Sequence, residues 1–224
     1  MDLLMSLGIL VVSYLIGAIP FGFVIVKLKS GKDIRDVQSG RTGGTNAMRA
    51  AGFGVGLSTA LLDILKGAVA VWIARYYFGD TNPWLEILSP IAAIIGHNYS
   101  IFLIQRGPDG KIRLGGGAGG ATCIGGSLGL WAPSFPIIFA IAVLIFYFVG
   151  YASVTTMSVA FLSTLIFTIR AINGTSPWIY AVYGIIAELL LLWALKPNLI
   201  ALRAGTERLH GFRVRNKNNS EPAN

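Results

Sequence analysis

The sequence predicts an all-α membrane protein with seven transmembrane helices, its N-terminus outside and its C-terminus cytoplasmic. Three observations carry this. Hydrophobic residues make up 54% of the 224 and charged residues 12%, about half the charge of a soluble domain. Several apolar runs reach the ~20 residues that cross a bilayer as helix. Basic residues gather between particular runs rather than evenly. A β-barrel does not fit, because barrel strands alternate polar and apolar residues and these runs do not.

The first span is expected over residues 3–26. Met1, Asp2 and Leu3 supply no basic stretch ahead of it, so it reads as a spanning helix rather than a cleaved signal. The second follows over 55–78 and the third over 87–104. The fourth, 119–131, is short and glycine-rich. The fifth and sixth, 135–151 and 153–169, are divided only by Gly150-Tyr151-Ala152-Ser153, the weakest boundary. The seventh covers 177–195.

With seven crossings, every lysine and arginine except Arg75 and Arg170 falls on one face. Basic residues mark the cytoplasmic side of a membrane protein, which sets the orientation, whereas six crossings would split them between faces. The formal charge of +8 therefore reads first as topology and second as attraction to anionic headgroups. Nucleic-acid binding is not expected, since no soluble basic domain is present to carry it. One integral-membrane domain is expected over 1–212, followed by a polar, disordered tail at 213–224. The single cysteine, Cys123, excludes an internal disulfide.

Three polar clusters share the basic face. The first runs from Ser39 to Arg49 and mixes Ser, Thr, Asn, Gly and Arg. It supplies hydrogen-bond donors, close backbone approach and fixed positive charge, the parts of an anion site. The second contains Gly96, His97 and Asn98, then Arg106, Lys111 and Arg113, then a run from Gly115 to Thr122. The third is Asn198 followed by Gly205, Thr206 and Glu207. Successive glycines let backbone N–H groups converge on an anion, and a helix opening just beyond adds its positive end. Glycines also let helices pack closely in a bilayer, and the run alone does not choose between these roles.

Asp63 and Lys66, three apart on one helix face, read as a local ion pair. His97 reads as a structural donor inside the third span. Glu188, mid-span in the seventh, must be protonated or paired. Two histidines and one cysteine are too few for a zinc site, no cofactor motif is present, and general bases are scarce. Such a chain suits a substrate that is already activated, handled by positioning and charge stabilisation.

The three clusters, in this order, resemble the bacterial acyl-phosphate:glycerol-3-phosphate acyltransferases. That family's Ser-Gly-Asn-x-Gly-Ala-Thr-Asn-x-x-Arg is matched from Ser39 through Thr45 and Asn46 to Arg49, with Arg41 for Asn and Gly44 for Ala. Its Asp-x-x-Lys-Gly is matched by Asp63, Lys66 and Gly67. Gly96, His97 and Phe102 follow its Gly-His-x-x-Pro-x-Phe, with Ser100 for Pro. Asn198 and Gly205-Thr206-Glu207 match its last motif. Departures are Ala118 where the glycine motif carries Lys, Leu195 for His, and Ala201 and Gly150 for Arg. Arg41, Lys111, Arg113 or Arg203 are the candidates to replace the missing cations, and loss of transfer is expected of Lys111→Ala and Arg113→Ala.

The resemblance implies acyl transfer from an acyl phosphate to the 1-hydroxyl of glycerol 3-phosphate, giving lysophosphatidic acid for phospholipid synthesis at the cytoplasmic face of a cell inner membrane. It implies catalytic places for Ser39, Arg49 and Asn198. Thr45, Asn46, His97, Gly115, Gly116, Gly117, Gly119 and Ser153 would bind substrate, and Asp63, Lys66 and Glu207 would be structural. The partners expected are the two phosphate substrates and membrane lipids. Three alternatives stay open: a transferase with an altered donor or acceptor, an anionic-lipid transporter, and an inactive lipid-binding relative. Polar residues gathered at one surface weigh against transport.

Overall fold

A computed structural model describes residues 2–107 and 109–210. The tail expected at 213–224, with Arg213, Arg215 and Lys217, lies outside them. The first span is two helices, α1 (Asp2–Ala18) and α2 (Phe21–Ser30), not the single run expected. Pro20 separates them, because proline lacks the N–H that would continue the ladder and holds the residue before it out of helix. Gly31 ends α2 in the left-handed region, φ 69°, which glycine enters at little cost.

The first polar cluster contains a helix that hydropathy does not reveal. This is α3 (Gly44–Ala51), which buries Asn46, Ala47 and Ala50 against α2 and α4. Then come α4 (Phe53–Phe78) and α5 (Pro83–Asn98). The start of α5 follows capping chemistry: Asn82 accepts from the Leu85 N–H at 3.1 Å, and Pro83 opens the helix where its missing N–H costs nothing. The third expected span is too long at its end. The chain leaves helix at Tyr99 and forms an antiparallel hairpin, β1 (Ile104–Arg106) with β2 (Ile112–Leu114). Four helices complete the described chain: α6 (Gly120–Leu130), α7 (Ser134–Phe148), α8 (Ala152–Ile172) and α9 (Ile179–Arg203).

Among the described residues, four stretches are long and apolar enough to cross a membrane by themselves: Leu3–Ser30, Phe53–Phe78, Ala152–Ile172 and Ile179–Arg203. α6 and α7 are apolar but shorter. Packing fixes the helix directions. Gly17 lies on Ala93, while Ile9 clusters with Leu85, so α1 and α5 run the same way. Gly67 lies on Thr122, and Gly129 lies on Val71, so α4 runs parallel to α6. Gly184 on Thr164 and Tyr180 against Phe167 make α8 and α9 antiparallel. Taking α1 and α2 as one bent segment, the seven long segments α1/α2, α4, α5, α6, α7, α8 and α9 alternate in direction.

α6 is the axis of the bundle. It buries Thr122 through Ser127 together with Gly129 and Leu130, and packs on α4, α5, α7 and α8. A Cβ at Gly67 would lie 2.2 Å from the Thr122 carbonyl, and one at Gly125 would lie 1.9 Å from that of Ile64. Only glycines allow the α4 and α6 backbones to approach so closely, the small-residue packing that replaces hydrophobic collapse in lipid. Leu61, Leu65, Trp72, Phe161, Leu189 and Trp193 point outward and are exposed, an apolar girdle suited to acyl chains rather than water.

Candidate active site

The three polar clusters meet at one end of the bundle. They line a cavity of about 530 Å³ formed by α3, the first half of α4, the C-terminal ends of α5 and α9, and the N-terminal ends of α6 and α8. Ser39, Thr45, Asn46, Arg49, Asp63, His97, Gly119, Ser153, Asn198 and Glu207 all line it. Residues more than 150 positions apart in the chain are thereby brought together.

The local architecture depends on hydrogen bonds. Asn46 is buried on α3, and its Nδ2 donates to the carbonyls of Ile34, Val37 and Arg41 at 3.1, 2.9 and 2.8 Å. Its amide nitrogen thus pins the preceding loop against α3. The substrate donor expected at Asn46 is spent on the backbone, and only its Oδ1, which is buried without a partner, remains. Thr42 N–H donates to the Gly116 carbonyl at 3.2 Å, which ties the first cluster to the second.

The glycine run divides in function. Gly115 N–H donates to Leu103 and Gly117 N–H to His97, at 3.1 and 2.8 Å. A Cβ at Gly117 would lie 2.0 Å from His97 Nε2, and one at Gly116 would lie 2.3 Å from the His97 carbonyl. Gly115, Gly116 and Gly117 therefore serve close packing against the end of α5, and they are not among the residues lining the cavity. The lining begins at Ala118 and continues through Gly119, Gly120 and Ala121, where α6 opens. The first N–H groups of a helix lack intrahelical partners, so this end can face an anion.

Asp63, Lys66 and His97 form a buried polar knot. Lys66 Nζ lies 2.8 Å from Asp63 Oδ1 and 2.8 Å from His97 Nδ1, and it donates to the Ile19 carbonyl at 3.2 Å. That last bond reaches the bend between α1 and α2. Asp63 Oδ2 is buried without a partner. The ion pair read from the sequence is present, with His97 as its third member. Glu188 stands on α9 away from the cavity, with Oε2 buried and unpartnered.

Glu207 closes the other side. Ser153 Oγ donates to its Oε2 at 2.6 Å, and Asn198 Nδ2 donates to its Oε1 at 3.3 Å. The carboxylate also stands at the N-terminus of α8, where the helix dipole favours it. Gly205, at φ 68°, turns the chain after α9 so that Glu207 can return.

Among the described residues three arginines face the cavity: Arg41, Arg49 and Arg208. Arg41 Nη2 donates to the Ala194 carbonyl on α9 at 2.5 Å, and its Nη1 is buried without a partner. Arg49 Nη2 contacts His210 Nε2. Arg208 Nη1 donates to Gln38 Oε1 at 2.9 Å. Burial lowers the pKa of both Arg41 and Arg49, the mark of cations that lack full compensation. Burial, then the charges of Arg49 and Arg208, push His210 down to about 4, so its imidazole is neutral. Of the four cations considered as replacements, Arg41 alone lines the cavity. Lys111 and Arg113 are exposed on the hairpin, with Arg113 paired to Asp109 at 3.2 Å, and Arg203 is exposed on α9. Arg208 and His210 were not singled out from the sequence; their only signal is position, one and three residues beyond Glu207.

A family model described as glycerol-3-phosphate acyltransferase matches residues 7–205. A glycerol-3-phosphate acyltransferase of Thermus thermophilus is 37% identical over 211 residues, covering 92% of this chain and 95% of its own. One from Syntrophomonas wolfei is 34% identical over 200 residues, covering 89% and 94%. The solved structure of PlsY, an integral membrane glycerol 3-phosphate acyltransferase, is similar in its glycerol 3-phosphate form. Its TM-score is 0.76 at 29% identity, covering 92% of this chain and 96% of that one. The lysophosphatidic acid form of PlsY gives a TM-score of 0.75 at 28% identity.

Proposed function

This chain belongs to the glycerol-3-phosphate acyltransferase family, and from that premise we propose that it transfers an acyl group from an acyl phosphate to the 1-hydroxyl of glycerol 3-phosphate. The observation that carries the reading is the cavity itself. Three arginines and the opening of α6 converge on it, while its carboxylates are engaged by Lys66 and by Ser153 and Asn198. Positive charge is left over for two phosphate groups.

The reaction needs little from the protein. An acyl phosphate is a mixed anhydride with a good leaving group. The glycerol hydroxyl oxygen bonds to the acyl carbonyl carbon, the bond from that carbon to the phosphate oxygen breaks, and inorganic phosphate leaves. The hydroxyl proton passes to the departing phosphate, which explains why no dedicated base is needed. The product is lysophosphatidic acid, an early intermediate of phospholipid synthesis. Arg49 with Thr45 holds one phosphate and the opening of α6 from Gly119 holds the other. Ser39 and Asn198 orient the hydroxyl or the oxyanion, a positioning and electrostatic task. The acyl chain lies between helices toward the apolar girdle.

The alternating segments support seven crossings, with α5, α6 and α7 completed by their neighbours. On this reading the basic residues favour the cytoplasmic face of the cell membrane for the cavity, with the N-terminus outside and residues 1–212 as one membrane domain. The test is transfer to radiolabelled glycerol 3-phosphate by purified protein, given palmitoyl phosphate, palmitoyl-CoA or palmitoyl-acyl carrier protein. Labelled lysophosphatidic acid from palmitoyl phosphate alone is expected. Product from a thioester donor alone overturns the donor assignment, and product from none overturns the activity.

A further inference from the structure

Arg41 lines the cavity and keeps an unused donor buried beside it. One of its terminal nitrogens is committed to the Ala194 carbonyl, while Nη1 is enclosed by protein and bonds to nothing among the described residues. No carboxylate there lies within ion-pair distance of it. An enclosed guanidinium without an anionic partner is a costly arrangement, and an anion reaching Nη1 from the cavity relieves it. The next residue, Thr42, is tied to Gly116, so the Arg41 backbone is anchored on the strand of chain that leads into α6. Arg49 stands with His210 instead. The two arginines therefore have separate surroundings within one cavity.

Most positions where this chain departs from its family's motifs gather in one place: Arg41, Gly44, Ala118, Leu195 and Ala201 line this cavity, whereas Ser100 and Gly150 do not. A cation is gained at 41 and one is absent at 118, which leaves the charge facing the cavity unchanged by the pair. The short Ala118 also keeps open space that a long side chain would enter.

Resting on the acyltransferase reading for the identity of the substrates, we infer that Arg41 is a phosphate ligand in this chain, its Nη1 donating to a phosphate oxygen held beside the opening of α6. Positions 41 and 118 are then an exchanged pair, one cation delivered from the loop before α3 instead of from the glycine run. A charge-assisted bond of this kind is strong and directional. Both substrates carry a phosphate, and binding measured with each alone distinguishes them.

The experiment uses the purified full chain in detergent and the stabilisation of thermal unfolding by two ligands, glycerol 3-phosphate alone and the hydrolysis-resistant palmitoyl phosphonate alone. Arg41→Asn is expected to raise the Kd of one ligand roughly tenfold or more, the loss of one charged hydrogen bond, and to leave the other within about twofold. The weakened ligand identifies the phosphate. Arg41→Lys is expected to recover part of the affinity, and Arg41→Asn with Ala118→Lys more of it. Unchanged Kd for both ligands in Arg41→Asn overturns the inference. So does weakening of both that Arg41→Lys does not relieve, which marks damage to the fold. Binding is read without turnover, so a protein that binds both ligands, one of them through Arg41, but transfers no acyl group contradicts the proposed activity and not the role of Arg41.

Discussion

Arg49 on α3 meets His210, on the segment beyond α9, through an Nη2 to Nε2 contact across the mouth of the cavity. His210 also stacks on Phe146 at 5.1 Å between ring centroids, and its N–H donates to the Gly150 carbonyl at 2.8 Å. The chain end is thereby fastened to the α7–α8 turn while its imidazole contacts the Arg49 guanidinium. A Cβ at Gly150 would lie 2.6 Å from the His210 carbonyl, so the absence of a side chain at 150 is what lets the segment lie there.

The contact predicts a pH dependence. Burial and the neighbouring arginines hold His210 at about 4, below its ordinary value near 6.5. Between these values the unfolded chain takes up a proton that the folded chain refuses. The stabilisation is therefore complete above about pH 6.5 and is lost as pH falls toward 4. The melting temperature of the ligand-free protein in detergent is expected to fall through that window. His210→Gln is expected to flatten the fall, and an unaltered slope in that variant contradicts the assignment.

Asp63 and Lys66 are expected to be mutually dependent. Asp63→Ala or Lys66→Ala leaves an uncompensated charge in the bundle, a loss of about 3–5 kcal/mol for a buried pair. Asp63→Asn with Lys66→Met removes both charges and is expected to be milder than either alanine variant. Chemical denaturation in detergent micelles measures this, and additive losses would show that the pair is not coupled.

The glycines before α6 are expected to rank by space and not by anion contact. Gly117→Ala pushes on His97 Nε2 and Gly116→Ala on the His97 carbonyl, whereas a Cβ at Gly115 meets Leu103 at 3.2 Å. The first two are expected to lose about 1–3 kcal/mol and the third less. Thermal stability without substrate is the measurement, because a purely phosphate-binding role would leave it untouched.

Lys111→Ala and Arg113→Ala are expected to retain transfer rates within about twofold, since surface charges away from such features contribute little. This reverses the expectation drawn from their position beside the glycine run. The hairpin carries them out of the cavity, and no hydropathy pattern announces a hairpin of three-residue strands. Steady-state kinetics of the two variants decide it.

Much of the architecture was legible because lipid imposes long apolar runs and charge asymmetry imposes direction. The ends of α4, α6 and α8 lie close to where hydropathy puts them. The bend at Pro20 was missed because the apolar run continues unbroken through it, although proline was there to be read. α3 was missed because its amphipathic stretch is short and polar on its cavity face. In the site, Ser39, Arg49, Asn198 and Glu207 could be named from motif spacing and do share a cavity. Asn46 and Gly115 to Gly117 looked like ligands because an amide or a glycine amide suits an anion. Only the fold reveals that the Asn46 amide and the Gly115 and Gly117 N–H groups are already engaged, and that Gly116 is packed against the His97 carbonyl. His210 could not be foreseen, since its place depends on the turn at Gly205 and the clearance at Gly150.

The central claim is that three distant segments form one cradle in which Arg49 holds a phosphate during transfer. Steady-state transfer of palmitate from palmitoyl phosphate to radiolabelled glycerol 3-phosphate, compared between the unaltered protein and Arg49→Ala, tests it most directly. The account predicts labelled lysophosphatidic acid from the unaltered protein and a fall of about a hundredfold in kcat/KM for the variant, the loss of a strong charged contact. Equal kcat/KM in the two proteins would contradict it.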